Sequence, residues 1–457
     1  MKASQFSSRR AAWEVLSHFN AAKHNTAELI EKFSGKTAER SGLVDITFGV
    51  IRNSVFIDSL ITQSSIRPIK NIPEKILNCL RIAVYELVFT EQADYAIVNE
   101  AVSLAKQIGS KKAGGFVNAV LRKICASIKN RTADLNKADS QKILPLSPDT
   151  GCEFNIDILP DAKKQKAEYL SCAFSLPLWL IEQWLEQFDY EKTKNICFAS
   201  NRRPSVYARP NKLKLNAEEL LKILKEQEID CTLAEQHKMV KLNKTGDIAK
   251  NDSFKAGLFT IQDLSSSSVI PLLNPQPGWK IFDICAAPGT KTAQIAEVID
   301  DKGVIIATDK DDSRLNKINE NIQRLGITSV KVLSYDVFLK EIDRLSPADA
   351  VLVDVPCSNT GVLAKRPEVR LRLNKKQVEE LAKIQAELLK FASSLVKKGG
   401  KICYSTCSIL KQENNDVVDD FLAEAKGFKL ESQHIFLPRA DEFDCDGAFA
   451  AILIKKQ

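Results

Sequence analysis

The sequence predicts a multidomain protein with an all-α bundle, then a small α/β module, then a doubly wound, Rossmann-like α/β domain. Three observations carry this prediction. Apolar residues recur at helical spacing through the first 130 residues, and strand-like and helical stretches alternate over residues 203–262. From residue 256 onward, short apolar runs alternate with helical stretches, which is typical of parallel strands joined by helical crossovers. A chain of 457 residues is also long enough for two or three separate cores.

The predicted helical domain spans residues 1–132. One of its apolar stripes runs through Ile76, Leu80, Ala83 and Leu87, and Pro68, Pro73 and the glycine pair 114–115 mark breaks between helices. This segment holds 19 Lys and Arg against 11 Asp and Glu, although the whole chain has a net charge of only +7. A basic surplus confined to one domain suggests contact with a polyanion such as nucleic acid, although a solvated basic surface explains it equally well.

Residues 133–165 are polar and are predicted to be a linker. A small α/β module is predicted over residues 166–255, with strands at 206–209 and 238–242 and a helix at 217–224. The remaining residues, 256–457, form the predicted Rossmann-like domain.

The first strand of that domain leads through a tight turn into a helix over residues 281–292. Small side chains in such a turn let a ligand approach the backbone, and the helix N-terminus offers unpaired N–H groups. The spacing is neither GxGxxG nor GxxxxGK[ST], so a dinucleotide or nucleoside triphosphate is not the first interpretation. The turn comprises Cys285, Ala286, Ala287, Pro288, Gly289, Thr290 and Lys291.

Acidic residues follow the next two predicted strands, residues 304–309 and 330–336. An acid at the end of the second strand, here Asp309, typically binds a ribose hydroxyl in this architecture. Asp309 alone could cap a helix, and Asp336 could be a turn residue. Together with the turn at 285–291, the two acids indicate a cofactor site.

Two further strands, residues 350–358 and 400–408, lead into Cys357 and Cys407. Both cysteines should emerge at the same sheet edge, because parallel strands end there together. A single cysteine at a strand end is more often a small buried apolar residue than a nucleophile. Two such cysteines beside Asp354 favour a catalytic role. A thiolate that adds to carbon 6 of cytosine makes carbon 5 able to attack a methyl sulfonium, and Asp354 is placed to hydrogen-bond the base.

The motifs also resemble known families. Arg-Arg-Ala-Ala at 9–12, Ala-Ile-Val-Asn-Glu-Ala-Val at 96–102 and Gly-Phe-Val-Asn-Ala-Val-Leu-Arg at 115–122 resemble the antitermination-factor (NusB-type) RNA-binding fold. The module at 166–255 is similar to an RNA-recognition-like subdomain, with Arg209 and Asn211 in the place of its Arg-Val-Asn motif.

The segments 283–292, 354–361 and 404–408 resemble three motifs of RNA 5-methylcytosine methyltransferases. With the helical N-terminus, the resemblance narrows to the RsmB/Sun type, which acts on small-subunit (16S) ribosomal RNA. It implies that Cys407 is the nucleophile, that Cys357 assists product release, and that Asp354 contacts the base. Lys291 is implied to lie near the cofactor carboxylate or the target base. Thr290, Val355 and Asn359 depart from the family pattern of glycine, alanine and glycine at these positions.

The cofactor implied by the resemblance is S-adenosyl-L-methionine. Its implied ligands are the turn 285–291 and the carboxylates of Asp309, Asp336 and Asp354.

The composition indicates the cellular compartment in which the protein acts. The eleven cysteines are scattered, no CxxC pair occurs, and there are only four histidines, which favours reduced thiols in the cytoplasm and argues against a zinc cluster. No apolar run is long enough to span a bilayer. We therefore expect a cytoplasmic protein that requires neither a metal nor a membrane. The resemblance implies that it binds ribosomal RNA, and we expect it to be a monomer.

Two alternatives stay open at this stage. The same catalytic motifs would serve a methyltransferase that modifies transfer RNA or another RNA. A non-catalytic RNA-binding or ribosome assembly factor would also retain the fold, but the intact cysteine pair argues against it.

Overall fold

The computed structural model describes residues 6–137, 139–244 and 248–457, which form two compact units. The first unit comprises the chain up to Arg202 together with a return segment, Leu363–Leu373. The second comprises Arg203–Val362 and Asn374–Gln457. No helix within the described ranges is both long enough and apolar enough to cross a membrane.

The helices follow one another in chain order. The first ten are α1 (Ser8–His18), α2 (Thr26–Ser34), α3 (Arg40–Arg52), α4 (Ser54–Ser64), α5 (Glu74–Phe89), α6 (Asp94–Ile108), α7 (Lys111–Ser127), α8 (Lys166–Phe174), α9 (Leu178–Gln187) and α10 (Tyr190–Asn201). The next ten are α11 (Ala217–Glu226), α12 (Asp252–Lys255), α13 (Leu264–Ser267), α14 (Val269–Leu273), α15 (Thr290–Val298), α16 (Leu315–Leu325), α17 (Tyr335–Leu345), α18 (Val369–Arg372), α19 (Lys375–Leu395) and α20 (Asn415–Glu424).

The strands form three sheets. They are β1 (Ile128–Asp134), β2 (Ile143–Pro145), β3 (Thr150–Phe154), β4 (Val206–Pro210), β5 (Cys231–Ala234), β6 (Met239–Leu242), β7 (Phe259–Ile261), β8 (Lys280–Asp283), β9 (Val304–Ala307), β10 (Val330–Val332), β11 (Ala348–Asp354), β12 (Val396–Thr406), β13 (Phe428–Phe436) and β14 (Ala448–Lys455).

Helix α5 forms the centre of the bundle in the first unit. It packs against α1, α3, α4, α6 and α7, and Leu80, Val84 and Leu87 are fully buried. Pro73 immediately precedes its first residue, where the missing N–H of proline costs nothing. The predicted all-α bundle is confirmed.

The structure differs from the predicted linker at 133–165, because strands β1, β2 and β3 form an antiparallel sheet there. Its buried side chains include Leu144, Cys152 and Phe154. The polar residues between them mask the period-two pattern that identifies a strand. Helices α8 to α10 belong to the first unit, whose main segment ends at Arg202.

The return segment is held in the first unit by a buried arginine. The guanidinium of Arg370 donates to the carbonyl oxygens of Arg52 at 2.6 Å, Phe174 at 3.1 Å and Ser200 at 2.9 Å. Burial, together with the charge of Arg52, lowers the pKa of Arg370 to about 9. The guanidinium therefore stays charged at neutral pH, and its hydrogen bonds to the carbonyl groups compensate for lost hydration.

The second unit begins with the four-stranded antiparallel sheet β5-β6-β4-β7. Strands β4 and β6 and helix α11 agree with the prediction, whereas β5 was not predicted. Arg209 of β4 is buried and forms an ion pair with Glu297 of α15. The side chain of Asn211 donates to the carbonyl oxygens of Gly257 and Leu325. In this structure the side chains of Arg209 and Asn211 stabilise the packing of the segments that they contact.

The second sheet of this unit has the order β10-β9-β8-β11-β12-β14-β13. Strands β8 to β12 run parallel to one another, and β14 runs antiparallel to both β12 and β13. Alternate residues such as Ile281 and Phe282 belong to apolar cores on opposite faces, as expected for a parallel sheet covered on both sides. The predicted Rossmann-like domain is confirmed.

We predict that Arg370→Met destabilises the protein by about 2 to 4 kcal/mol, because buried carbonyl groups lose their hydrogen-bond donor. Urea denaturation followed by circular dichroism measures the loss. Arg372→Met is the matched control, since Arg372 is only half-buried and donates a single long hydrogen bond, 3.4 Å, to the carbonyl oxygen of Ala21. Equal losses in the two variants would contradict the role assigned to Arg370.

Candidate active site

The turn after β8 is shaped by Gly289. Its φ of 93° lies in the left-handed region, and a Cβ atom there would meet Ile318 at 3.1 Å, so glycine is the residue that fits. The N–H of Ala287 donates to Oδ2 of Asp309 at 3.1 Å, and Arg314 donates to the carbonyl oxygen of Ala287 at 2.6 Å. Asp309 is therefore fixed against the turn, two residues beyond the end of β9.

Asp283 anchors the other side of the turn. This last residue of β8 is buried, and its Oδ2 accepts a hydrogen bond from the Thr292 hydroxyl of α15 at 2.6 Å. Burial raises the pKa of Asp283 to about 7, and the Thr292 hydrogen bond opposes that rise. The sequence reasoning did not include Asp283 among the site residues.

Asp336 does not end a strand as predicted. Strand β10 stops at Val332, and Asp336 is an exposed residue in the first turn of α17. The reason is local, because Ser334 caps this helix by accepting from the N–H of Val337. The carboxylate still lies on the chain segment that follows β10.

The structure brings Cys357 and Cys407 together. Strands β11 and β12 are parallel, Asp354 pairs with Ser405 in register, and the cysteines lie just beyond the two strand ends. Their Sγ atoms are 2.9 Å apart, and the N–H of Cys407 donates to Sγ of Cys357 at 3.3 Å. Both side chains are half-buried.

Asp354 and Lys291 form an ion pair beside the cysteines. Nζ of Lys291 lies 2.7 Å from Oδ2 of Asp354, while the hydroxyl of Ser405 donates to Oδ1 at 2.7 Å. The two charged side chains are 16% and 32% exposed, so the pair is partly accessible at the sheet edge. All four predicted catalytic residues thus meet at one place.

The thiol of Cys357 is held in its protonated form. Its hydrogen bond with Cys407 and its burial raise the pKa well above the usual range, and the Cys407 and Glu413 charges add to the effect. For Lys291, burial acts to lower the pKa, but Asp354 and the nearby Cys407 outweigh burial and raise it. Lys291 is therefore a stable cation at neutral pH.

A polar network beneath the two cysteines centres on Glu413, which is fully buried. Its carboxyl group accepts from both the N–H, at 2.8 Å, and the hydroxyl of Ser358. It also accepts from the hydroxyl of Ser408 at 2.5 Å and from the amide of Gln385 at 3.0 Å. Ser358 and Ser408 directly follow the two cysteines, so one carboxyl group binds both loops.

Sequence reasoning missed Glu413. It stands in the polar run that follows Leu410, where nothing distinguishes it from a solvated acid. Its partners lie as far as 55 residues away in the chain, so only the folded structure reveals the network.

A Rossmann-like sheet whose carboxyl edge carries a tight turn of small residues and a pair of adjacent thiols is typical of a methyltransferase domain of the two-cysteine type. The chain is 32% identical over 433 residues to "Probable ribosomal RNA small subunit methyltransferase B" of Synechocystis sp.. The aligned region covers 93% of this chain and 91% of that protein. The chain belongs to the family of ribosomal RNA small subunit methyltransferase B, and it is an RNA methyltransferase.

Other relatives and family models agree with this assignment. The corresponding protein of Bacillus subtilis is 31% identical over 399 residues, 85% of this chain and 81% of the relative. The model of the 16S rRNA methyltransferase RsmB/F family matches residues 270–448. The NusB family model matches residues 7–126, and the ferredoxin-like domain of RsmF/B-like methyltransferases matches residues 176–249.

Two solved structures share the fold. The crystal structure of PH0851 is 26% identical, with a TM-score of 0.74, over 99% of this chain and 100% of that one. NSun6 from Pyrococcus horikoshii, solved with SFG, is 24% identical, with a TM-score of 0.54, over 62% of this chain and 98% of that one. The second likeness concerns the fold alone.

We predict that Glu413→Gln lowers stability by about 2 to 4 kcal/mol, because an amide NH2 group cannot accept the hydrogen bonds that one carboxyl oxygen now accepts. Denaturant unfolding of the purified protein measures the change. Glu424→Gln, an exposed position at the end of α20, is the control and should stay within about 0.5 kcal/mol of the parent. A Glu413→Gln variant as stable as this control would show that the network does not hold the loops.

Proposed function

We propose that this protein transfers a methyl group from S-adenosyl-L-methionine to carbon 5 of a cytosine in small-subunit (16S) ribosomal RNA, with Cys407 as the nucleophile. The relatives are named for small-subunit ribosomal RNA, which supports the substrate. The observation that carries the chemistry is the 2.9 Å separation of the Cys357 and Cys407 sulfur atoms beside the Asp354–Lys291 pair.

The residues at the carboxyl edge fit S-adenosyl-L-methionine. The turn 285–291 offers small side chains and the first turn of α15, and Asp309 and Asp336 offer carboxylates of the kind that bind ribose hydroxyls or an ammonium group. Asp354 is a third such carboxylate. When bound, this cofactor supplies an electrophilic methyl group on a sulfonium, and the residues of the turn bind and orient it.

Cys407 attacks the base. Its thiolate forms a bond to carbon 6 of the cytosine, and the displaced electron pair makes carbon 5 nucleophilic. The ammonium group of Lys291 interacts electrostatically with Cys407, which places positive charge near a sulfur that attacks as an anion. Breaking the same carbon–sulfur bond, after carbon 5 has lost its proton, restores the aromatic ring and frees the thiolate.

Cys357 assists this release. A thiol whose pKa is raised is a poor nucleophile at neutral pH, but once it has released its own proton to water it is a strong base, so Cys357 accepts the proton of carbon 5 while the carbon–sulfur bond to Cys407 breaks. Its sulfur is already in contact with Sγ of Cys407, so little movement is needed.

Asp354 orients the base. Ser405 and Lys291 each hold one of its oxygen atoms, so the carboxyl group is fixed before the substrate binds. This fixed carboxylate accepts a hydrogen bond from the exocyclic amino group of the cytosine and so orients the ring for attack at carbon 6.

We predict that Cys407→Ala abolishes methyl transfer, because no covalent adduct can form. Cys357→Ala instead accumulates a covalent protein–RNA adduct, since attack proceeds but release is blocked. Incubation with methyl-labelled cofactor and 16S RNA, followed by denaturing gel electrophoresis, measures both products.

Cys231→Ala, at a strand of the other sheet in the same unit, is the control and should retain turnover and trap no RNA. If Cys407→Ala traps RNA while Cys357→Ala is inert, the roles of the two cysteines are reversed.

The substrate is tested in cells. We predict that bisulfite sequencing of RNA from a deletion strain shows the loss of one 5-methylcytosine in 16S ribosomal RNA and its return on complementation. Loss of a transfer RNA site instead would contradict the proposed substrate. An unchanged methylation pattern would contradict the methyltransferase proposal and favour an assembly factor.

A further inference from the structure

We infer that Asn359 is a positioning residue whose side-chain amide holds the Cys407 thiol in the direction of attack. The inference rests on the proposed function, since it takes Cys407 as the nucleophile. It concerns the contact between the loop after β11 and the sulfur atom at the end of β12.

The backbone of Asn359 is in the left-handed region, with a φ of 62°. Apart from glycine, asparagine is among the residues that adopt this conformation most readily. In this conformation, Nδ2 donates to the carbonyl oxygen of Cys357 at 2.9 Å. Because Nδ2 is the atom that donates to Cys357, the other polar atom of the amide, Oδ1, is the one that faces Cys407.

Oδ1 of Asn359 accepts a hydrogen bond from Sγ of Cys407 at 3.3 Å. The sulfur atom of Cys407 therefore contacts both Sγ of Cys357 and Oδ1 of Asn359. A cysteine side chain has three staggered rotamers, and two directional contacts select one of them.

Neighbouring hydroxyl groups cannot replace the amide. Ser358 donates to Glu413, and Thr360 is hydrogen-bonded to the Ser408 hydroxyl at 2.9 Å and accepts from the N–H of Ile409. Both side chains are buried and engaged in the network beneath the cysteines. Among the residues between Cys357 and Gly361, Asn359 is thus the one whose side chain bonds the Cys407 thiol.

The consequence for catalysis follows from geometry. Carbon–sulfur bond formation requires the sulfur to approach carbon 6 to about 3 to 3.5 Å along the correct direction, and a misplacement of about 1 Å costs up to about 100-fold in rate. The attacking thiolate forms from the thiol in the rotamer that the hydrogen bond selects, and a thiol freed to sample three rotamers ionises less often in that direction. RNA contacts made elsewhere are unchanged.

The test variant is Asn359→Gly, because glycine keeps the left-handed backbone and removes only the side chain. The matched control is Asn274→Gly. Asn274 is the left-handed residue that caps the end of α14, in the segment that leads to the amino end of β8. We predict that Asn359→Gly lowers the single-turnover rate by about 10- to 100-fold, with the KM for RNA and the melting temperature within the range of the control.

A second measurement needs neither RNA nor cofactor. Alkylation by iodoacetamide, quantified for the Cys407 peptide by mass spectrometry, should be several-fold faster in Asn359→Gly than in the parent or in Asn274→Gly. The reason is that the amide no longer restrains the sulfur or covers it.

The outcomes are distinguishable. Unchanged turnover with unchanged alkylation, or a fall in melting temperature with both rates equal to those of the control, overturns the role of Asn359. If the parent protein methylates no RNA, the proposed function fails, while the alkylation rates still decide whether Asn359 positions the thiol.

Discussion

The active site depends on the parallel pairing of β11 with β12. Because Asp354 and Ser405 are partners in register, the loops that follow the two strands leave the sheet side by side. Cys357 and Cys407, 50 residues apart in the chain, are thereby brought into contact. Antiparallel pairing would send the two loops to opposite edges, and neither the sulfur contact nor the Ser405–Asp354 hydrogen bond would form.

Strand pairing brings the loops together but does not fix their side chains. That task falls to a buried polar network in which Glu413 bonds the residue after each cysteine. A buried polar group without partners is costly, so the network is stable only when both loops are in place. The cysteine geometry is thus coupled to the packing of α19, which contributes Gln385, and is not a local property of either loop.

A single side chain links the proposed cofactor side of the site to the base side. Lys291 belongs to α15, which begins at the turn after β8, and β8 lies directly beside β11 in the sheet. Its ammonium group reaches Asp354 at the end of β11 and interacts electrostatically with Cys407. Adjacent parallel strands make this short span possible, and the low dielectric of the partly buried edge strengthens the charge pair.

The sequence by itself determined the helical bundle, the α/β alternation, the turn 285–291 and the two cysteines at strand ends. These features are local, since they depend on periodicity and on residue types at fixed spacing. Tertiary structure alone decided the sheet at β1 to β3 and the roles of Glu413 and Asn359. Each of those depends on partners remote in sequence or on a loop conformation. The type of a polar side chain does not indicate which partner it will have once the chain has folded.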